Sequence, residues 1–125
     1  MNDTRGGVPV PNRKELGRLA EDRAAEYLLS LGYSLITRRW KRAGGEIDLV
    51  AMDGETLVFV EVKATLAAGF RPEAAFSDTK VARLLHVSEQ YVREYGLHDR
   101  PLRVDLVAVD ASGLRHYPDV LRDSV

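Results

Sequence analysis

Two apolar segments of this chain each carry carboxylates that a simple β-strand would not need. The first segment contains Glu46 and Asp48, and the second contains Glu61 followed two residues later by Lys63. Asp53-Gly54 lies between the segments, and an Asp-Gly pair flanked by apolar runs is a strong signal for an antiparallel hairpin. Because strand side chains alternate with a period of two, a hairpin loop of even length places all four charged side chains on one face. The sequence therefore predicts a cluster of three acids and one lysine.

The length of the hairpin loop decides which side chains face each other. A two-residue loop at Asp53-Gly54 sets Asp48 opposite Phe59, whereas a four-residue loop sets Asp48 opposite Glu61. Only a three-residue loop or a bulge would separate the charged side chains. Like charges across a strand pair destabilise it, and buried carboxylates resist ionisation, so a divalent cation between the acids would resolve the conflict.

The chemistry that suits such a cluster is metal-assisted hydrolysis of a phosphodiester. Mg²⁺ takes oxygen ligands, commonly one or two carboxylates with waters and a substrate phosphate. Lys63 would orient or help to deprotonate a water and would offset charge on the phosphate. In the structural alternative, Glu61 and Lys63 form an ordinary ion pair and Asp48 accepts a backbone hydrogen bond.

Composition bounds the remaining possibilities. The chain has 125 residues, of which 45% are hydrophobic and 30% charged, which is typical of one soluble domain. It has no cysteine, which excludes disulfides, thiolate zinc sites and cysteine nucleophiles. The net charge of -1 gives no global argument for nucleic-acid binding, so that case depends on local patches.

The N-terminal sequence and the hydropathy pattern predict a location. Residues 1–11 lack the apolar stretch of a signal peptide, and no apolar run approaches the ~20 residues that span a bilayer. We expect a cytoplasmic protein without a membrane partner. Residues 1–11 are expected to form a flexible lead-in, and residues 12–125 a single domain.

Helix and strand signals predict the order of the elements. Asn12 and Glu15 form a capping box at the start of a helix, and Gly32 supplies its stop. Hairpin strands are antiparallel, whereas a strand reached through a helical crossover can lie parallel to its neighbour, so we expect a mixed sheet flanked by helices. The predicted elements are a helix over 13–31, a strand over 33–37, the hairpin over 44–63, a helix capped by Ser77 or Asp78 that ends before Gly96, and strands over 102–109 and 114–117.

Basic residues crowd the entrance to the hairpin. They surround Trp40 in a predicted loop that would track phosphates and offer one aromatic ring for stacking. Lys80 and Arg83 lie one turn apart on the second helix and would touch a nucleic-acid backbone. Solvated surface charges are the structural alternative for both groups. The cations of the predicted loop are Arg38, Arg39, Lys41 and Arg42.

The element order, with Asp48 followed by Glu61-Val62-Lys63, resembles the PD-(D/E)XK nuclease superfamily, which includes many restriction enzymes and the archaeal Holliday junction resolvases. The chain is more closely similar to the YraN-like family of small, largely uncharacterised bacterial proteins, from about Asn12 to Leu121. The segments that match most specifically are 45–49 and 58–63. Weaker matches are Gly17, Glu21 and Ala24 in the first helix, Lys80, Arg83 and Leu84 in the second, and Arg103, Asp105 and His116 near the end.

The resemblance implies a restriction-endonuclease-like α/β fold, with a central mixed sheet of four to five strands and the order αβββαβ(β). It also implies roles for single residues. Asp48 and Glu61 would be the metal-binding acids, Lys63 the catalytic lysine, and Glu21 an extra acid from the first helix. The backbone carbonyl of Val62 would join the metal. The implied cofactor is Mg²⁺ or Mn²⁺.

Some positions have a second interpretation or depart from the family pattern. Glu46 either supports the site or holds the basic loop in place. A salt bridge to Arg18 or Arg23 is the structural alternative for Glu21. Where family members usually carry an arginine two residues after the lysine, this chain has Thr65, which removes a phosphate clamp. Ala20 replaces the usual glycine before the helix glutamate.

These observations predict a metal-dependent endonuclease that hydrolyses phosphodiester bonds in DNA, including branched or structured DNA. One alternative is a non-catalytic nucleic-acid-binding module that retains the nuclease fold, and another is an interaction subunit whose acidic face binds a basic protein. We expect a monomer or a homodimer. The histidines show no paired metal-ligand spacing, and for His116 we expect a core or rim hydrogen bond.

Overall fold

A five-stranded sheet with one helix packed on each face forms the core of the protein. The computed structural model describes residues 10–121, so the predicted lead-in at 1–11 lies outside the described residues except for Val10 and Pro11. The predicted α/β order is confirmed. The elements are α1 (Arg13–Ser30), β1 (Ser34–Arg42), β2 (Gly45–Asp53), β3 (Thr56–Ala64), a short 3-10 helix (Pro72–Ala75), α2 (Asp78–Tyr95), β4 (Leu102–Asp110) and β5 (Gly113–Tyr117).

The strands follow one another across the sheet in chain order, from β1 to β5. The β3–β4 pair is parallel because α2 carries the chain back across the sheet between them, and the other three pairs are antiparallel. The mixed sheet is therefore confirmed. Among the described residues, no helix is long and apolar enough to cross a membrane.

The hairpin of β2 and β3 turns at Gly54-Glu55, one residue later than a turn at Asp53-Gly54. Asp53 pairs with Thr56, and the ladder runs back to the pair of Leu49 and Val60. This is the register expected from the four-residue loop, in which the next step brings Asp48 beside Glu61.

Local signals fix the first residues of both helices. The side chain of Asn12 accepts a 2.9 Å hydrogen bond from the Glu15 N–H, and the Asn12 N–H donates to the Glu15 carboxylate at 3.1 Å. The Ser77 hydroxyl accepts a hydrogen bond from the Lys80 N–H at 3.3 Å. These bonds satisfy backbone donors that have no partner within the helix. The helix starts predicted from Asn12 and Ser77 are thus confirmed.

The core has two layers, one on each face of the sheet. On one face α1 presents small side chains such as Ala20 and Ala24, so it packs closely on Val58 and Val60 of β3. On the other face α2 presents larger side chains to Phe59 and its neighbours in β2 and β4. Alternation along β3 supplies both layers from one strand. The buried residues of α2 are Leu84, Val87, Ser88, Tyr91 and Val92.

The predicted basic loop over 38–42 is wrong, because these residues continue β1. Arg38 pairs with Leu49 and Arg42 pairs with Gly45, and the chain then turns at Ala43-Gly44. The charges suggested a loop, but β1 is an edge strand, and edge strands commonly carry charged side chains.

Trp40 anchors this edge strand to α2. It is 5% exposed, its ring meets Tyr91 edge-to-face at 5.0 Å, and its indole N–H donates to the Tyr95 hydroxyl at 3.1 Å. A buried indole with a satisfied N–H cannot offer its face to a nucleic-acid base. The predicted stacking role of Trp40 is therefore wrong.

Candidate functional site

A polar cleft of about 310 Å³ opens where β2 and β3 stop pairing and the first turns of α2 cross above them. It brings together seven of the twelve candidate site residues that the sequence singled out. Glycine and leucine complete its walls. The lining residues are Gly45, Glu46, Asp48, Glu61, Val62, Lys63, Lys80, Arg83 and Leu84.

Asp48 lies one residue beyond the last pair of the β2–β3 ladder, Leu49 and Val60. Its Oδ2 accepts a 2.8 Å hydrogen bond from the backbone N–H of Val62. The carboxylate thus satisfies a backbone donor that lies beyond the β2–β3 ladder. This hydrogen bond fixes the orientation of Asp48. Burial, reinforced by the negative charge of Glu61, raises the pKa of Asp48 to about 8.

Glu61 and Lys63 lie two residues apart on one face of β3, and their side chains are 16% and 21% exposed. Lys63 Nζ lies 2.8 Å from Glu61 Oε2. Burial disfavours the ammonium of Lys63, but the hydrogen bond and charge of Glu61 outweigh burial and keep its pKa above the ordinary value. Lys63 is therefore held in its protonated form and in one position.

The donors in the cleft suit a hard cation that keeps some of its waters. Two carboxylates lie side by side with the Val62 backbone between Glu61 and Lys63. Within residues 10–121, no three histidine, cysteine, aspartate or glutamate side chains converge as a metal cage. Mg²⁺ commonly binds through one or two carboxylates and completes its octahedron with water and phosphate, so this donor set fits it.

Glu21 reaches toward this region from α1 but does not line the cleft. Arg39 Nε donates to Glu21 Oε1 at 2.6 Å, so its partner is Arg39 rather than Arg18 or Arg23. The Glu21 side chain is only 13% exposed, and its negative charge, after burial and the charge of Glu61, helps to raise the pKa of Asp48. Glu21 is thus close enough to influence the acid pair electrostatically, while its own carboxylate is bound to arginine.

Three arginines of β1 meet carboxylates of the two helices. Arg38 contacts Asp22 at 2.5 Å and Arg42 contacts Glu94 at 2.5 Å, in addition to the Arg39–Glu21 pair. Arg39 has a φ of 54°, in the left-handed region, and the two successive arginines both reach α1. The charges of these arginines are therefore partly compensated inside the protein.

The remaining predicted cations differ in their surroundings. Lys41 is exposed, and its Nζ lies 3.8 Å from Glu46 at the mouth of the cleft. Lys80 and Arg83 line the cleft and form no ion pair within the described part of the chain. The ammonium of Lys63 lowers the pKa of Lys80 below its ordinary value. Positive charge that is not bound to a carboxylate thus borders the acid pair on its α2 side.

Comparison with known proteins places the chain in a family. The family model described as "Uncharacterised protein family UPF0102" matches residues 20–109, which include every acid and both lysines of the cleft. The chain belongs to UPF0102. This is the YraN-like family that the sequence resembles.

The similarity to individual UPF0102 proteins extends over most of both chains. A UPF0102 protein of Dehalococcoides mccartyi is 42% identical over 102 residues, which are 81% of this chain and 84% of that protein. A UPF0102 protein of Carboxydothermus hydrogenoformans is 38% identical over 115 residues, 88% of this chain and 98% of that protein. One of Renibacterium salmoninarum is 42% identical over 96 residues, 76% and 81% of the two chains.

The late residues that matched the family pattern lie outside the cleft. Asp105 is fully buried, and Arg103 donates to both of its oxygens at 2.9 and 3.0 Å. His116 Nε2 lies 2.8 Å from Asp105, and its Nδ1 lies 3.3 Å from the Tyr27 hydroxyl. The core hydrogen bond expected for His116 is confirmed. Burial opposes the charge of Asp105, but His116 and Arg103 outweigh it and lower its pKa.

Sequence reasoning missed a further group of cations on α1. Arg13, Lys14 and Arg18 line a separate groove with residues of β1 and β2. Lys14 and Arg18 are four residues apart and so lie on one side of the helix, with Arg13 at its first residue, which was visible in the sequence. That this side faces the cleft region follows only from the packing of α1 on the sheet.

Proposed function

We propose that this UPF0102 protein is a divalent-cation-dependent endonuclease that hydrolyses DNA phosphodiester bonds, including those of branched or structured DNA. The observation that carries the proposal is the buried pair of Asp48 and Glu61 beside Lys63. Burial and mutual repulsion disfavour the ionised forms of these two acids, so a cation placed between them would stabilise those forms strongly.

In this proposal Asp48 and Glu61 would hold Mg²⁺ or Mn²⁺, with the backbone carbonyl of Val62 as a further ligand. When bound, the metal would supply Lewis-acid polarisation of the phosphate and a water of lowered pKa. The Val62 N–H keeps Asp48 in position before the metal arrives. Pre-positioned ligands lower the cost of assembling the site.

Lys63 would act on the reacting phosphate. The Lys63 Nζ lies 2.8 Å from Glu61 Oε2, and this contact keeps the lysine protonated. A fixed cation beside the metal would stabilise the negative charge that develops on the phosphate oxygens and orient the attacking water. Lys80 and Arg83 would hold neighbouring phosphates, since both line the cleft without a carboxylate partner among the described residues.

A non-catalytic nucleic-acid-binding module is the second candidate. Thr65 stands where the family usually has an arginine, and it lines a different groove on the 65–71 loop. Loss of that clamp would weaken the hold on a phosphate while leaving the metal acids intact. Such a protein would still bind DNA with a strong salt dependence.

The test is cleavage of labelled single-stranded, linear duplex and four-way-junction DNA in Mg²⁺ or Mn²⁺. Glu61→Ala and Lys63→Ala are each expected to lower the rate by about 10²–10³-fold, as losses of transition-state stabilisation do. Glu89→Ala and Arg93→Ala, at exposed positions on α2, are matched controls that should cut like the wild type.

Two results would count against the nuclease. Cleavage that persists in both Glu61→Ala and Lys63→Ala would point to a contaminating enzyme. Wild-type protein that binds DNA but does not cut it with either metal would support the non-catalytic module.

A further inference from the structure

A second groove, of about 200 Å³, lies on the other side of Glu46 from the polar cleft. Glu46 lines both, so the two are adjacent. The groove runs between the first turns of α1 and the strands β1 and β2. Its lining residues are Arg13, Lys14, Gly17, Arg18, Glu21, Arg39, Lys41 and Glu46. We call it the α1 groove.

The α1 groove is strongly cationic in a chain whose net charge is -1. Five of its lining residues are basic and two are acidic. Glu21 is bound to Arg39, and Glu46 lies 3.8 Å from Lys41. Arg13, Lys14 and Arg18 are exposed and form no ion pair within residues 10–121. Three cations therefore remain available to an external anion.

Gly17 is an independent sign that something approaches this helix closely. It lies inside α1, where glycine costs about 1 kcal/mol relative to alanine. Nothing within residues 10–121 requires it, because a Cβ added there meets no described atom within 4 Å, and its φ is not in the left-handed region. A glycine without a packing reason in a helix leaves room for a ligand to lie against the backbone.

We propose that the α1 groove binds the sugar-phosphate backbone of the DNA strand next to the polar cleft, as a second phosphate-binding surface. The inference rests on the proposed function for its choice of DNA. The strand would contact Lys80 and Arg83 on one side of the acid pair, and Arg13, Lys14 and Arg18 on the other. Spaced, unpaired cations that flank a cleft match the spaced charges of a phosphodiester chain.

The experiment measures the affinity of the full chain for a fluorescein-labelled single strand and its duplex, without metal, over a range of salt concentrations. The triple variant Arg13→Gln/Lys14→Gln/Arg18→Gln is compared with Arg23→Gln/Arg93→Gln/Arg100→Gln. Both lose three exposed basic charges, and the control arginines lie outside the α1 groove and the cleft. General electrostatic attraction therefore changes equally in both.

The groove variant is expected to lose about two to three units of the slope of log affinity against log salt on duplex DNA, at about 0.9 per phosphate contact. The control variant should keep the wild-type slope within about one unit. Equal slopes in the two triple variants would overturn the proposal.

Gly17→Leu tests the groove without changing any charge. A Cβ at Gly17 meets no described atom within 4 Å, and leucine favours a helix more than glycine does, so the fold should be retained. Leucine would occupy the space assigned to the DNA backbone and is expected to weaken binding by about tenfold, or 1.4 kcal/mol. Gly17→Ala adds only a methyl group and should bind within about twofold of wild type. Wild-type affinity in Gly17→Leu would overturn the proposal.

These measurements separate this inference from the proposed nuclease activity. Salt-dependent binding lost only in the groove variants supports the α1 groove even when no metal permits cleavage. Normal cleavage together with equal binding by both triple variants would remove the groove and leave the nuclease intact.

Discussion

At the scale of single residues, Asp48 is an acid in a position where folding alone would favour a neutral side chain. Its carboxylate is buried beside Glu61, and one backbone N–H is its hydrogen-bond donor. The raised pKa means that ionisation of Asp48 lowers the stability of the folded protein. A buried acid that lowers the stability of the fold when ionised, yet is held by a specific hydrogen bond, is typical of a functional site.

Asp48→Asn is expected to stabilise the metal-free protein. The folded-state pKa of Asp48 is about 8 against an ordinary value of 3.8, so the acid lowers the free energy of unfolding increasingly as pH rises between those values. Asparagine retains the acceptor for Val62 and cannot ionise, so we expect a gain on the order of 1–2 kcal/mol near pH 8.

Urea unfolding with a chelator present, at about pH 5 and about pH 8, measures the difference in the free energy of unfolding between Asp48→Asn and the wild type. This difference should be larger at the higher pH. Glu89→Gln, at an exposed position, is the control and should change stability by less than about 0.5 kcal/mol. A loss of stability in Asp48→Asn at the higher pH would contradict the assignment of Asp48 as an energetically costly acid.

The arginines show what a sequence cannot reveal about a charged residue. Arg38, Arg39 and Arg42 were the obvious phosphate ligands in the sequence, yet each contacts a carboxylate of a helix. Lys80 and Arg83, predicted as backbone contacts with solvated surface charge as the alternative, line the cleft. Whether a cation is compensated depends on tertiary neighbours, which the local pattern does not contain.

At the scale of secondary structure, the β2–β3 hairpin explains how a short sequence positions the acids. Its turn at Gly54-Glu55 sets the register, and the ladder ends at Leu49 and Val60, one residue before Asp48 and Glu61. The hairpin and the one-face cluster were predictable because the period-two pattern and the Asp53-Gly54 pair are local signals, although the turn itself lies one residue later. The extent of β1 was not, because pairing with β2 overrides the charges of its second half.

Gly45 couples this hairpin to α2 and provides a test of the element packing. Its φ is 143°, and a Cβ there would lie 3.0 Å from Val87 Cγ2. Both strain and contact oppose a side chain, so Gly45→Ala should lower the free energy of unfolding by about 1–3 kcal/mol in urea.

Gly17→Ala serves as the matched control for that measurement. It adds the same methyl group within a helix, where no atom of residues 10–121 lies within 4 Å, and should raise stability by up to about 1 kcal/mol. Equal stability changes in the two variants would show that Val87 of α2 does not pack against Gly45 at the β1–β2 turn.

At the scale of the whole molecule, the fold separates charges that the sequence intersperses. The net charge of -1 conceals two neighbouring cationic surfaces, one on each side of a buried acid pair. The order of the elements along the chain and both helices followed from local patterns and were predictable. The α1 groove was not, because it joins residues 13–18 to residues 39–46 through the packing of α1 on the sheet.

A calorimetric titration of the purified protein with Mn²⁺ measures whether the acid pair of the cleft binds a divalent cation. We expect saturable binding of about one ion per chain that weakens by at least about tenfold in Glu61→Gln and in Asp48→Ala, since each loses a carboxylate ligand. Glu89→Gln should bind like the wild type. Saturable binding that survives in both cleft variants, or no saturable binding by the wild type, would contradict the account.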